Sequence, residues 1–266
     1  MPLGLSVVWK PSHCPKCGHD IRPRDNLPVL GWLILRGRCR DCGEPISPRY
    51  AIVEAAMGTA FFVLAYVELF SGAANLPAAL ADPAGALHSV VLPNWELIIV
   101  YGYHATLLSL LMAMGLIDQD RQRIPRGFLF FAAIVVCGFL SYQCWFLYPE
   151  RTRNIRINEW KAPLDATSGA IWGAAAWLVP LVALRRRSSE PLQRFLRNAA
   201  IASAVTGSFL GLRPIVRIFA IWLFTLAGRR VIAVKWQVAI SPLLLLWAAT
   251  LVHILLWNRL ADLFSW

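Results

Sequence analysis

Apolar segments of about 20 residues recur along this chain, and their length constrains its fold more than any other feature does. A helix needs about 20 residues to cross the hydrocarbon core of a bilayer. Segments of this length occur at 51–70, 97–117, 127–148, 164–184 and 237–257. The apolar stretch 198–228 is too long for one span and contains Arg213-Pro214, so we predict two short helices there. The pattern predicts an all-α polytopic membrane protein, with about six to seven helices over residues 50–266.

Composition supports a membrane environment. Charged residues make up 15% of the chain and hydrophobic residues 58%, whereas a soluble domain carries about 25% charged residues. The net charge is +11, and the positive residues cluster between apolar segments, as they do in cytoplasmic loops. We therefore expect the lipid bilayer to be a partner of this chain, and we expect no nucleic acid partner.

Loop charge predicts the orientation of the helices. Lysine and arginine concentrate at 1–49, 118–126, 185–197 and 229–235. Residues 71–94 contain neither. By the positive-inside rule, the four basic stretches face the cytoplasm and 71–94 faces the opposite side. The stretch 149–163 opposes this alternation, because it should lie outside yet holds four basic residues.

Two C-x-x-C pairs stand in the polar head formed by residues 1–49. Cys14-Pro-Lys-Cys17 and Cys39-Arg-Asp-Cys42 are each followed directly by a glycine, and 21 residues separate the pairs. Zinc binds four thiolates tetrahedrally from such spacings. Two disulfides or four free thiols are the alternatives, and a cytoplasmic position disfavours disulfides. The head is therefore predicted to be a small N-terminal four-cysteine zinc-knuckle domain, with structural zinc bound by Cys14, Cys17, Cys39 and Cys42.

The head also resembles the amino-terminal domain of the type IV prepilin peptidases. That family's pattern is D-N-I-P…W-L…G-x-C-x-x-C-x-x-x-I-x-x-R-Y-P-x-V-E. The matching residues here are Asp25, Asn26, Pro28, Trp32, Gly37, Ile46, Arg49, Tyr50, Val53 and Glu54. The resemblance continues in Leu116-Ile117-Asp118-Gln119-Asp120 and Ile124-Pro125, and more loosely in Gly207–Gly211 and Ser241-Pro242.

This resemblance implies an aspartic-type endopeptidase of the bacterial inner membrane. The family cleaves leader peptides from prepilins and pseudopilins at the cytoplasmic face, and many members then methylate the new amino terminus with S-adenosylmethionine. Cleavage is assigned to two aspartates that share one proton, so that one acts as base toward water and the other as acid. Asp118 matches the first of them. From the residues alone, Asp118 is an ordinary interfacial carboxylate that pairs with Arg121 or Arg123.

The chain departs from the family pattern at the second aspartate. No G-x-G-D occurs in the sequence, and counting back from Gly207 by the family's interval reaches Ala199. Asp165 and Glu190 are the remaining candidates for a second acid. Arg126 also stands where the family usually has aspartate after the proline.

Two classes of function follow from this pattern. The first is a prepilin peptidase that uses Asp118. The alternative is a catalytically impaired homologue that binds prepilin-like helices, scaffolds a secretion or pilus machine, or retains only methyl transfer. The family also carries a membrane helix ahead of the knuckle, so either the start lies upstream of Met1 or that helix is lost.

Overall fold

A computed structural model of the chain describes residues 13–76, 94–142, 161–184, 189–236 and 241–263. Within these ranges the chain is helical, with isolated β-bridges but no strands. The predicted all-α class is therefore confirmed. The chain divides into two compact units, Met1–Val63 and Leu64–Trp266.

The first unit contains the cysteine-rich head. A 3₁₀ turn covers Pro23–Asp25 and a short helix, α1, covers Leu30–Ile34. Helix α2 spans Pro48–Ala65 and continues as a π-helical turn over Tyr66–Phe70, past the boundary between the units. Pro48 suits the first position of a helix, because the amide it lacks has no intrahelical partner there.

The second unit is built from longer helices. These are α3 Trp95–Gln119, α4 Arg126–Tyr142, α5 Lys161–Leu184, α6 Glu190–Leu210, α7 Leu212–Trp236, α8 Pro242–Leu255 and α9 Trp257–Leu263. Helix α3 begins where the side chain of Asn94 accepts hydrogen bonds from the amides of Glu96 and Leu97, at 3.1 and 3.4 Å. Helix α8 begins in the same way, because the Ser241 hydroxyl accepts from the amide of Leu243.

Three described helices are long and apolar enough to cross a membrane, namely Pro48–Phe70, Trp95–Gln119 and Leu164–Ala183. They coincide with the predicted spans 51–70, 97–117 and 164–184. The predicted spans 127–148 and 237–257 extend into residues that lie outside the described ranges. Their described parts include the shorter apolar helices Arg126–Gly138 and Pro242–Leu255.

The predicted division of 198–228 into two helices is confirmed, but the break lies at Gly211. This residue has φ +89°, in the left-handed region that favours glycine. Arg213 and Pro214 fall inside the first turn of α7, where proline is tolerated because first-turn amides have no intrahelical acceptor. The stretch 185–197 was predicted as a loop, which is wrong from Glu190 onward. Helix α6 starts at Glu190, after the N-cap Ser189 and with a proline in its first turn.

Small residues bring α5 and α6 into close contact. A Cβ built on Gly207 would stand 2.1 Å from the carbonyl oxygen of Gly169, and one on Gly173 would stand 2.3 Å from that of Ser203. Backbones approach this closely only where side chains are absent or small. This contact places α6 beside α5, and the buried face of α3 packs in the same apolar core around Leu107, Leu111 and Met114.

Candidate functional site

The four cysteines of the head converge on one point. Their Sγ atoms all lie within 4.8 Å of one another, and those of Cys14 and Cys42 are 3.8 Å apart. A tetrahedron with Zn–S bonds of about 2.3 Å requires sulfur atoms about 3.8 Å apart. None of the four forms a disulfide. The residues present therefore fit a tetrahedral metal ion, and the disulfide alternative is not what the structure shows.

Two similar turns present these thiols. The amide of Gly18 donates to the carbonyl of Cys14 at 2.9 Å, and the amide of Gly43 donates to that of Cys39 at 3.0 Å. Both glycines are left-handed, with φ of +72° and +70°. Other residues rarely adopt this conformation, so the glycine after each C-x-x-C pair lets the chain turn back and place both sulfurs on one side.

Backbone amides and neighbouring sulfurs shift the pKa values of Cys14 and Cys42 in opposite directions. The amides of Cys17 and Lys16 lower the pKa of Cys14 to about 6. The amide of Glu44 also lowers the pKa of Cys42, but burial and the other three sulfurs outweigh it and raise that pKa to about 12. The thiolate is the form that binds a metal, so a bound cation would displace protons from this cluster.

Polar contacts also stabilise the rest of the head, and two of the residues that make them, Asp25 and Glu54, belong to the family pattern. Arg40 donates from Nε and Nη2 to the two carboxylate oxygens of Asp25, at 2.7 and 2.6 Å. This hydrogen-bonded contact lowers the pKa of Asp25. Glu54 accepts from the amide of Val29 at 2.7 Å. Asp25 and Glu54 are thus framework residues, which fix the loops between the cysteine turns and α2.

Asp118 lies in the last turn of α3, where three elements meet. Its Oδ1 accepts from Nδ2 of Asn198 on α6 at 2.9 Å, and its Oδ2 accepts from the hydroxyl of Ser241 before α8 at 2.7 Å. Asp118 is half-buried, whereas Asn198 and Ser241 are buried. Arg123 lies 3.9 Å from Glu190. Two neutral donors therefore hold the Asp118 carboxylate, in place of the arginine pairing considered from the sequence.

Asn198 is held in a single orientation by its hydrogen bonds. Its Nδ2 also donates to the carbonyl of Gln122 at 3.0 Å, and its Oδ1 accepts from the amide of Ile124 at 3.4 Å. The position facing Asp118 is thus residue 198, and the residue reached by counting, Ala199, lies in the apolar core. Asparagine has the same shape as aspartate, and Asn198 directly precedes the position reached by counting. This was the sequence signal that could have pointed to Asn198.

Neither acidic candidate for the second aspartate meets Asp118. Asp165 accepts from the amide of Leu212, just past the end of α6. That end of α6, at Leu210, lies about 18 Å from Asn198 at 1.5 Å rise per residue. Glu190 begins α6, about 12 Å from Asn198 by the same measure. The structure brings Asp118 together with Asn198 and Ser241.

The fold and the two sites define a class of protein. Its helices are long and apolar enough to cross a membrane, and its amino-terminal head carries four cysteines that could bind a metal ion. Residues 1–68 match the Bacterial Peptidase A24 N-terminal domain. The chain is 36% identical over 124 residues to the prepilin leader peptidase/N-methyltransferase of Klebsiella pneumoniae, which is 47% of this chain and 42% of that protein. It is also 36% identical over 124 residues to the type 4 prepilin-like proteins leader peptide-processing enzyme of Escherichia coli, covering 47% and 36%.

A shorter and closer match joins it to the prepilin leader peptidase/N-methyltransferase of Myxococcus xanthus, with 52% identity over 62 residues, 23% of this chain and 18% of that protein. The resemblance to the type IV prepilin peptidases is therefore confirmed, through the family model over residues 1–68 and through these relatives. The matches span less than half the length of these relatives. No solved structure matches the chain.

Proposed function

We propose that this chain is a prepilin peptidase-like protein of the bacterial inner membrane that binds prepilin-like amino-terminal segments without efficient aspartic proteolysis. One observation carries the second half of this proposal. The group that faces Asp118 across 2.9 Å is the carboxamide of Asn198. The relation to named prepilin leader peptidases supports the first half.

An aspartic peptidase divides its work between two carboxyl groups. One takes a proton from the attacking water while the other gives a proton to the substrate. A carboxamide can do neither at working pH, and the serine that holds the other oxygen of Asp118 is also no acid of useful strength. The nearby arginines cannot substitute, because guanidinium stays protonated. A positioned acid or base contributes about 10²–10⁴-fold to rate, and this chain lacks one of the two.

The cysteine cluster is proposed to hold one structural zinc ion. All four ligand positions would be protein sulfurs, which leaves no open position for substrate or water, so the metal has no catalytic role. A head of this size has little apolar core of its own, and a bound metal would stabilise its fold. The division into a cytoplasmic knuckle at 1–49 and a membrane domain at 50–266 is part of the same proposal.

Methyl transfer is the second candidate. The Klebsiella pneumoniae and Myxococcus xanthus relatives are named as N-methyltransferases, and transfer of a methyl group from S-adenosylmethionine does not require a carboxylate pair. A chain with Asp118 and Asn198 could retain this activity after losing cleavage. A methylation assay on a pre-cleaved prepilin, with labelled S-adenosylmethionine, separates this candidate from a protein that only binds.

In the deciding experiment, membranes that contain this chain are mixed with prepilins or pseudopilins from the same organism. Cleavage is followed by electrophoretic mobility, and binding by co-purification of the uncleaved prepilin. We expect binding without cleavage, against rapid cleavage by a relative that has both aspartates. Robust cleavage lost in Asp118→Asn would show that another acid completes the pair. Cleavage that survives Asp118→Asn would show that the family mechanism does not operate.

A further inference from the structure

A basic cavity lies beside the α3–α4 turn, and its lining does not include Asp118, Asn198 or Ser241. It has a volume of about 550 Å³ and opens between that turn, the end of α5 and the start of α6. Four arginines line it, two from the turn and two from α6: Arg121, Arg123, Arg194 and Arg197. Leu181 and Val182 of α5 form an apolar wall.

The charge in this cavity is unbalanced. Glu190 is the one acidic side chain among the described residues that line it, and it lies 3.9 Å from Arg123. Arg194 and Arg197 are half-buried and stand three residues apart, so they share one face of α6. Removing part of a charge from water costs free energy unless an opposite charge compensates it. The cavity therefore favours an anion.

The apolar wall indicates where the anion comes from. Leu181 and Val182 belong to the last turn of the membrane-capable helix Leu164–Ala183, and Val182 is 73% exposed. The end of a spanning helix lies at the depth of the lipid headgroups. The arginines therefore stand at headgroup level, directly beside a surface that suits an acyl chain. A free phosphate ion would use the arginines but not the wall.

We propose that this cavity binds the headgroup of an anionic phospholipid. Arg194 and Arg197 contact the phosphate, since guanidinium groups form paired hydrogen bonds with phosphate oxygens, and the acyl chain lies along Leu181 and Val182. The lipid also braces the α3–α4 turn. That turn carries the Gln122 carbonyl that accepts from Asn198.

The test uses the full chain, purified in mild detergent and placed in nanodiscs of phosphatidylcholine with or without phosphatidylglycerol. Retained lipid is read by native mass spectrometry, and affinity by titration of phosphatidylglycerol. The double variant Arg194→Ala/Arg197→Ala should bind phosphatidylglycerol about 30-fold more weakly, from the loss of two basic side chains near the surface. Arg126→Ala is the matched control, because Arg126 follows the same turn but does not line the cavity.

A second variant keeps the proposal testable if the double variant does not fold. Glu190→Gln removes the competing carboxylate and should tighten phosphatidylglycerol binding about fivefold. Several results would overturn the proposal. These are equal retention of phosphatidylcholine, equal loss in Arg126→Ala, no change in Glu190→Gln, or displacement of the lipid by millimolar inorganic phosphate, which would identify a free-phosphate site.

Discussion

The substitution Asn198→Asp tests the proposed function at the atom that decides it. It exchanges one NH₂ group for oxygen without changing the shape of the side chain. The new carboxylate would stand where Nδ2 now lies, 2.9 Å from Oδ1 of Asp118. The amide of Ile124, which now donates to the asparagine oxygen, would continue to donate to a carboxylate oxygen.

Repulsion between the two carboxylates of this variant would keep one of them protonated, as an aspartic peptidase needs. Two full negative charges 2.9 Å apart would repel by about 6 kcal/mol at an effective dielectric constant of about 20. The pair therefore keeps one proton at neutral pH, and one member is an acid while the other is a base. Restoring the missing partner should raise the rate of prepilin cleavage by about 10²–10⁴-fold.

The assay measures cleavage of a prepilin in membranes containing equal amounts of each variant. Asn198→Asp should cleave, while the parent and Asn198→Asp/Asp118→Asn should not, because the double variant again has one carboxylate. The substitution also removes a donor to the Gln122 carbonyl, at a cost of about 1–3 kcal/mol in folding stability if that carbonyl is left unpaired. Thermal unfolding of each purified variant checks that loss of activity is not loss of fold.

The proposed function is wrong if Asn198→Asp folds, binds prepilin and still does not cleave it. In that case the placement of residue 198 beside Asp118 does not define the catalytic pair. The proposed function is also wrong if the parent cleaves as fast as Asn198→Asp, since the carboxamide would then be no obstacle.

Three further predictions test the metal, the helix packing and the topology. Purified protein should contain about one zinc per chain, and Cys14→Ser should lower both zinc content, by elemental analysis, and folded yield; full yield without metal would contradict this. Gly207→Ala should lower stability to thermal unfolding by about 1–3 kcal/mol through overpacking, whereas the control Gly102→Ala, with nothing within 4 Å of the new Cβ, should not. Accessibility labelling should reach 185–197 from the cytoplasm and 71–94 from the opposite side; the reverse would refute the orientation.

Much of the head could be predicted because its determinants are local. The C-x-x-C spacing and the glycine after each pair define the turns within a few residues, and the two turns meet as expected. The helical spans were equally accessible, because about 20 apolar residues suffice to specify a membrane-capable helix. The length of the apolar stretch 198–228 correctly predicted two helices, but the break between them was assigned to the wrong residues. Arg213-Pro214 is tolerated in a first turn, and the break needs the left-handed Gly211.

The partner of Asp118 could be decided only by the tertiary structure. Asn198 and Ser241 lie 80 and 123 residues from Asp118 in sequence. Which side chain of α6 faces α3 depends on the rotation of α6 about its axis, and one residue of rotation turns a side chain by about 100°. The glycine contacts with α5 set that rotation. Counting along the chain reached the buried Ala199, whereas packing of backbone against backbone turns Asn198 toward the carboxylate.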